Sequence, residues 1–227
     1  MDINILLRRI LIVVMAAGWF SLAHANVGEV ELCEPFKDGK VDTSLINSML
    51  DAARDGYLYR IEGETSKVGF CVSSKFSEVK GDFREVRGGL ALMPASTVSG
   101  AEQAMLVINT ASLDTQGSVV ESLIKGERFF DVKKYPEILF VSRGFEWTGR
   151  DTATIVGDLT VHGVTRPVVF AVTLTPVMGS ENGTVERMQV KATTTIQRSE
   201  FDMDSLSKLV SDSVDLCMSV VVVRYTT

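Results

Sequence analysis

Histidine and cysteine, the side chains best suited to catalysis or metal binding near neutral pH, are scarce in this chain of 227 residues. The only histidines are His24 and His162. Because His24 lies in a segment that we expect to be removed on export, His162 would remain alone, without a nucleophile or further ligands beside it. His162-Gly163 also stands where a hairpin turn is expected. The sequence therefore favours a turn residue over a general base at His162.

The other reactive side chains form no recognisable site either. Cys33, Cys71 and Cys217 are far apart and include no Cys-x-x-Cys pair, which disfavours a metal centre or a thiol nucleophile. Asp114 and Asp131 flank a predicted helix, where they could cap its ends or pair with Arg128. Two carboxylates could also serve a hydrolase, but no spacing in the sequence supports that role.

Composition limits the class of protein. Hydrophobic residues make up 45% of the chain and charged residues 23%, which excludes global disorder and allows a packed core. The net charge is −6 and no basic stripe is present, so a general nucleic-acid-binding protein is not expected. The length suits one domain with an appendage.

The N-terminus resembles an export signal. Arg8 and Arg9 precede an almost entirely apolar run at residues 10–22, and Ala-His-Ala at residues 23–25 fits the small-x-small cleavage rule. We predict a signal peptide at residues 1–25 that is cleaved after Ala25, with an uncleaved anchor helix as the alternative. No later apolar run is long enough for a transmembrane helix, so export of the cleaved chain is predicted.

Residues 26–58 are predicted to form an N-terminal extension with one short helix. Asp42, Thr43 or Ser44 can cap it, and Gly56 ends it. Its apolar face comprises Leu45, Ile46, Met49, Leu50 and Ala53. Three turns cannot fold alone, so we expect the helix to lie against the main domain, with a partner-binding helix as the alternative.

Residues 59–227 are typical of β-structure almost throughout, with alternating apolar residues and short turns. This pattern predicts an all-β fold, an eight-stranded antiparallel barrel with one or two helical inserts. The first is predicted at 119–130, and the second, at 203–211, is either irregular or helical. The predicted strands are 68–72, 79–86, 90–92, 106–108, 138–140, 155–161, 168–174, 190–196 and 214–223.

One parity of these strands must face the barrel interior, and the interior side chains that it predicts are all apolar. They could line an apolar cavity or fill an ordinary core, and alternation alone favours the core. The predicted set is Phe70, Val72, Leu106, Ile108, Ile138, Phe140, Leu159, Val161, Phe170, Val172, Leu216 and Met218.

Four motifs in register resemble the YceI-like family. They are residues 111–115 (Ala-Ser-Leu-Asp-Thr), 128–140 (with Phe-Phe-Asp and Tyr-Pro), 157–168 (with Thr-Val-His-Gly-Val-Thr) and 195–201 (Thr-Ile-Gln-Arg-Ser-Glu-Phe). The resemblance implies an extended, lipocalin-like barrel that is located in the periplasm. It also implies that the barrel binds a polyisoprenoid chain, such as an isoprenoid quinone, in a long apolar interior. It shifts the expectation from a filled core towards a cavity.

The chain departs from the family pattern at three positions. Val120 and Leu123 replace an Arg and a His of many relatives, and Asp202 replaces a Gly. Polar contacts to a ligand head group are therefore less expected than the apolar channel. Phe129 and Phe130 are predicted to plug one barrel end or line its mouth, and Tyr135 either contacts a ligand or, preceding a proline, only starts a strand.

Together these features predict an exported carrier of a long apolar lipid, of polyisoprenoid or isoprenoid quinone type, with no enzymatic activity and no cofactor. The alternatives are a structural or stress-protective interaction protein with a filled core, and an enzyme acting on a lipid in the interior. A homodimer is compatible with the sequence.

The export signal also makes a disulfide possible, since an oxidising compartment allows one bond among three cysteines. Strand parity predicts that Cys71 and Cys217 point outwards. A bond from Cys33 to either would tie the extension to the outer wall and close a long loop. We predict that Cys33 is bonded, to Cys217 in preference to Cys71.

Overall fold

The computed structural model of the chain describes residues 43–92, 102–177 and 185–225. The predicted signal peptide at 1–25, most of the extension and Cys33 lie outside the described residues. None of the helices in the described ranges is long and apolar enough to cross a bilayer.

The described part of the chain contains two α-helices and ten β-strands. In chain order they are α1 (Thr43–Arg54), β1 (Leu58–Ser74), β2 (Glu78–Phe83), β3 (Val86–Ala91), β4 (Gln103–Asn109), β5 (Leu113–Thr115), α2 (Ser118–Lys125), β6 (Glu137–Trp147), β7 (Thr152–Val161), β8 (Val164–Pro176), β9 (Arg187–Gln197) and β10 (Val210–Arg224). The all-β class predicted from alternation is confirmed.

Eight antiparallel strands close into a barrel. The ladder runs β10-β9-β8-β7-β6-β4-β3-β1, and β1 pairs with β10 from Tyr59–Arg224 to Ser74–Val210, which joins the two edges. Closure satisfies the backbone groups that an open edge would expose. The predicted eight-stranded antiparallel barrel is thus confirmed.

One predicted strand is not continuous. Residues 79–86 divide between β2, which pairs with the end of β1, and β3, which pairs with its beginning. Between them Arg84 donates its backbone N–H to Ser112 O at 3.2 Å, outside the ladder. The break occurs because the 17-residue β1 is long enough to pair with both strands in succession.

Helix α1 agrees with the prediction for the extension. Gly56 ends it with φ 73°, and Tyr57 and Gly56 donate backbone N–H groups to Ala52 O and Ala53 O. The helix packs on β1 and β3, and Arg224 Nε of β10 donates to Gly56 O at 2.6 Å. Of the expected placements, the helix takes the one against the barrel.

The first predicted insert is less helical than expected, and the second takes the irregular form of its two alternatives. Helix α2 ends at Lys125, and the following residues up to Phe130 form turns, because Gly126 interrupts the helix. The helical spacing of Val120, Leu123 and Ile124 predicts one buried face for all three, but Leu123 is 43% exposed. Residues 205–209 form turns, which follow a 3-10 turn at Arg198–Phe201. Asp202, at the position where the resemblance implies a Gly, adopts left-handed φ 57°.

Candidate functional site

The barrel encloses a cavity of about 430 Å³, which falls in the usual range for small-molecule pockets. All twelve residues predicted from strand parity line it: Phe70, Val72, Leu106, Ile108, Ile138, Phe140, Leu159, Val161, Phe170, Val172, Leu216 and Met218. They come from strands far apart in sequence, and the barrel brings them around one space. Their contact with a ligand remains a prediction.

Further lining residues were missed by the sequence reasoning. Alternation could have found seven of them. Five have the same parity as the predicted residues of their own strands: Val68, Ile155, Val214, Val220 and Val222. Two lie at alternate positions of β9, from which no interior residue was predicted: Val190 and Ile196. Ile61 could not be found in this way, because a register shift between Glu62 and Lys67 moves the inward face of β1 from odd to even positions.

An aromatic cluster packs where α2 meets the barrel. The Phe70 and Phe130 ring centroids are 5.9 Å apart, those of Phe83 and Phe130 are 5.6 Å apart, and all three rings are mutually tilted. Phe129 and Phe130 both line the cavity. Phe130 therefore packs against the wall and borders the cavity, while the roles of plugging a barrel end or lining its mouth stay predictions.

Two glycines leave space for the rings of Phe70 and Phe140. A β-carbon on Gly81 would lie 2.6 Å from the Phe70 ring, and one on Gly157 would lie 2.6 Å from the Phe140 ring. The Phe140 ring in turn meets Phe170 edge-on at 5.1 Å. Since these rings lie over glycine backbone, they extend less far into the interior than they otherwise would.

Arg198 is the only charged side chain among the described lining residues, and it is 4% exposed. Its guanidinium donates to backbone carbonyl oxygens of Met203, Ser205 (2.8 Å), Val210 (3.2 Å) and Ser211 (2.8 Å). Four of the five N–H groups are thus used by the chain itself. The arginine holds the 203–211 segment on the barrel, and the cavity stays almost wholly apolar.

The cavity reaches the surface at one end of the barrel. Four of its lining residues are large hydrophobic side chains that are themselves exposed: Phe76 between β1 and β2, Leu123 on α2, and Leu206 and Leu209 before β10. We call this opening the mouth.

The sequence motifs and the fold match one family. The sequence-family model for the YceI-like domain matches residues 59–222 of this chain. This chain belongs to the YceI-like family.

Relatives and solved structures agree. A UPF0312 protein of Pseudomonas putida strain GB-1 is 34% identical over 160 residues, 70% of this chain and 81% of the relative. A Campylobacter jejuni YceI protein has a TM-score of 0.55 at 27% identity, over 64% of this chain and 84% of that one. A polyisoprenoid-binding domain from Saccharophagus degradans, implicated in plant cell wall breakdown, has a TM-score of 0.56 at 17% identity, over 73% and 98%.

Tyr135 and His162, the motif residues of the YceI-like domain that could contact a ligand or act as a base, do not line the cavity. The Tyr135 and His162 rings meet at 4.6 Å, and neither is among the described lining residues. His162 and Gly163 form the two-residue turn between β7 and β8, with φ 51° and 76°. The turn role expected for His162 is confirmed, and Tyr135-Pro136 directly precedes β6.

The expectation that Asp114 and Asp131 cap the ends of α2 or pair with Arg128 is corrected in one respect. Asp114 pairs with Arg84 across the sheet rather than with Arg128, and α2 is capped by Gly117 and Gly126, so neither Asp114 nor Asp131 caps it. Within the described ranges, no three His, Cys, Asp or Glu side chains are grouped as a metal site would require.

Cys71 and Cys217 are not joined by a disulfide. Cys71 lies opposite Asp215, and Cys217 lies opposite Gly69, so the two cysteines are diagonal neighbours on β1 and β10. Cys217 is exposed and Cys71 half-buried. The predicted bond from Cys33 to Cys217 stays a prediction, since Cys33 is outside the described residues.

Proposed function

We propose that the protein is an exported carrier that holds a long apolar lipid, of polyisoprenoid or isoprenoid quinone type, in the barrel cavity. The observation that carries the proposal is the cavity itself: about 430 Å³, lined almost entirely by apolar side chains and open at the mouth. A filled core would leave no such space, because protein interiors normally contain few voids larger than a water molecule.

The driving force for binding is desolvation of the lipid. Each CH₂ group moved out of water contributes about 0.8 kcal/mol, part of which is lost in ordering the chain. Arg198, the one charged side chain among the lining residues that the structure describes, already donates four N–H groups to backbone carbonyls. Recognition therefore depends on the length and shape of the apolar chain more than on a head group.

The solved relatives support this chemistry in outline. The Saccharophagus degradans domain, which is described as polyisoprenoid binding, shares the fold at a TM-score of 0.56. At 17% identity, this comparison relates the two chains by fold alone. The apolar lining of the cavity is the reason for proposing the same class of ligand for this chain.

Native mass spectrometry of protein purified without detergent tests the proposal. We expect a co-purifying apolar mass in the unaltered protein, and its loss in Ile108→Trp, which adds a large ring at a 5% exposed interior position. Val169→Trp, on the outer wall at 54% exposure, is the matched control. A protein without bound lipid, or equal occupancy in both variants, would contradict a carrier role.

Export is the remaining part of the proposal. The charged start, the apolar run at 10–22 and the small residues at 23 and 25 support cleavage after Ala25 and release into the periplasm. The intact mass of the exported protein should correspond to a chain that begins at Asn26. A mature chain that still begins at Met1 would refute it.

A further inference from the structure

The exposed apolar side chains of the barrel are concentrated around the mouth. Within the described part of the chain, nine large apolar side chains are exposed, and five come from the three segments at this end. We call these five the rim: Phe76, Val119, Leu123, Leu206 and Leu209. The other four are spread along the outer wall and the opposite end.

Two of the rim segments are joined by backbone. Lys75 donates its N–H to Leu209 O at 2.9 Å, and Leu209 donates its own to Leu206 O at 2.8 Å. Phe76 and Leu209 are therefore held at one side of the opening by the fold, rather than by chance side-chain positions.

The third segment, α2, lies at the same end of the barrel because it follows β5, which pairs with β2. Gly81 of β2 pairs with Thr115 of β5, so continuing the ladder brings Gly117, which precedes α2, close to the turn that carries Phe76. Val119 projects from α2 with 82% of its surface exposed, and Phe76 is 85% exposed. Patches of this kind on soluble proteins mark interaction surfaces.

We propose that the rim docks on the surface of an anionic phospholipid bilayer, so that the mouth opens towards the acyl chains. This rests on the proposed function, because a lipid that fills an apolar cavity is almost insoluble in water and must be taken from, or given to, a membrane. The rim is continuous with the cavity lining, since all of its members except Val119 also line the cavity.

The charges beside the rim favour anionic head groups. Lys75 precedes Phe76, and Lys208 precedes Leu209. Neither ammonium group has a carboxylate partner in the described residues, although Asp202 and Asp204 lie on the same segment as Lys208. Glu78 and Glu121, on the other two rim segments, are paired with Lys80 at 2.8 Å and with Lys125 at 2.7 Å. A lysine near an anionic membrane surface strengthens binding about fivefold, and this contribution weakens with salt. Apolar insertion supplies the remainder.

Co-sedimentation with phosphatidylcholine–phosphatidylglycerol vesicles tests the docking. We expect the purified protein to bind, and Phe76→Ser combined with Val119→Ser to weaken binding roughly tenfold or more, since two apolar side chains no longer insert. Lys75→Gln combined with Lys208→Gln should weaken binding to these vesicles and leave the weaker binding to pure phosphatidylcholine unchanged. Trp147→Ser combined with Val169→Ser, exposed apolar residues away from the rim, is the matched control.

The outcomes separate docking from cargo binding. Native mass spectrometry of the same preparations measures the bound lipid, the cargo, independently. Vesicle binding without bound lipid would contradict the carrier function and support docking. Cargo without vesicle binding, or equal losses in rim and control variants, overturns the docking proposal. So does a dimer in sedimentation analysis that the Phe76→Ser/Val119→Ser variant dissociates, because the rim would then cover a second copy of the chain.

Discussion

Phe70 and Gly81 lie directly opposite each other on β1 and β2, and the Phe70 ring occupies the space that a side chain at position 81 would need. A β-carbon on Gly81 would lie 2.6 and 2.7 Å from two ring atoms and 2.8 Å from Leu113 Cδ1. The absence of a side chain at Gly81 thus keeps the ring against the wall and helps to preserve the volume of the cavity.

Gly81→Ala should therefore reduce lipid binding. The methyl group forces the Phe70 ring towards the interior, and overpacking of this kind typically costs about 1–3 kcal/mol of unfolding free energy. Urea unfolding measures the stability, and native mass spectrometry measures the bound lipid. Gly144→Ala, where an added β-carbon would meet nothing within 4 Å, should leave both unchanged. If the two variants behave alike, Gly81 does not set the cavity volume.

Arg198→Met should destabilise the protein by about 2–4 kcal/mol, because several buried backbone carbonyls lose a charged hydrogen-bond donor together. Urea unfolding should show the loss, and hydrogen exchange should show faster exchange across residues 203–211. Arg54→Met is the control, since its ion pair with Asp51 at 3.2 Å is exposed and contributes about 0–1 kcal/mol. Unchanged exchange across 203–211 in Arg198→Met would show that the segment is held by other contacts.

Asp212 should make stability depend on pH. The Ser199 hydroxyl and backbone N–H donate to its carboxylate at 2.6 and 2.8 Å, and the hydroxyl bond above all lowers the pKa of Asp212 below its ordinary value of 3.8. A carboxyl whose pKa is lower in the folded state stabilises the fold above its ordinary pKa, and the effect is lost as pH falls through the folded-state pKa.

Unfolding of the unaltered protein and of Asp212→Asn between pH 2 and pH 7 checks this. The stability difference should be largest at pH 7 and shrink in acid. Ser199→Ala, which removes the hydroxyl donor, should reduce the same pH dependence. A difference that stays constant with pH would mean that the charge of Asp212 is not stabilised by the fold.

Cys33 should be joined to Cys217 in the exported protein, leaving Cys71 as the free thiol. Cys217 is exposed on the outer wall, where a segment outside the barrel can reach it. If it is instead reduced, burial raises the pKa of the Cys217 thiol, with a contribution from Cys71, and alkylation should be slow at neutral pH. Non-reducing peptide mapping decides: a Cys71–Cys217 peptide with Cys33 free would contradict the prediction.

Local rules predicted much of the fold because each acts over few residues. Alternation in β7 placed Leu159 and Val161 inside, and Gly56, which tolerates a positive φ, marked the end of α1. The same rules misjudged α2, where Leu123 carries an apolar side chain at the right helical spacing but faces the mouth. Spacing identifies an apolar face and says nothing of whether another element covers it.

Pairings between distant segments were beyond those rules. The partner of Asp114 is Arg84, 30 residues away, since β2 and β5 bring them side by side. The sequence does not reveal that Arg198, which lies within a family motif, holds the 203–211 segment on the barrel. Its acceptors are backbone carbonyls, which carry no sequence signature.

The amino-acid sequence by itself determined the antiparallel strands, their inward parity, the helix of the extension and the apolar character of the interior. Only the tertiary structure decided that the interior is a cavity rather than a filled core, and where it opens. Alternation states which side chains face inwards, but the space left between them depends on how far apart opposite walls stand. That distance follows from barrel closure between β1 and β10, and from rings such as Phe70 and Phe140 lying over glycines.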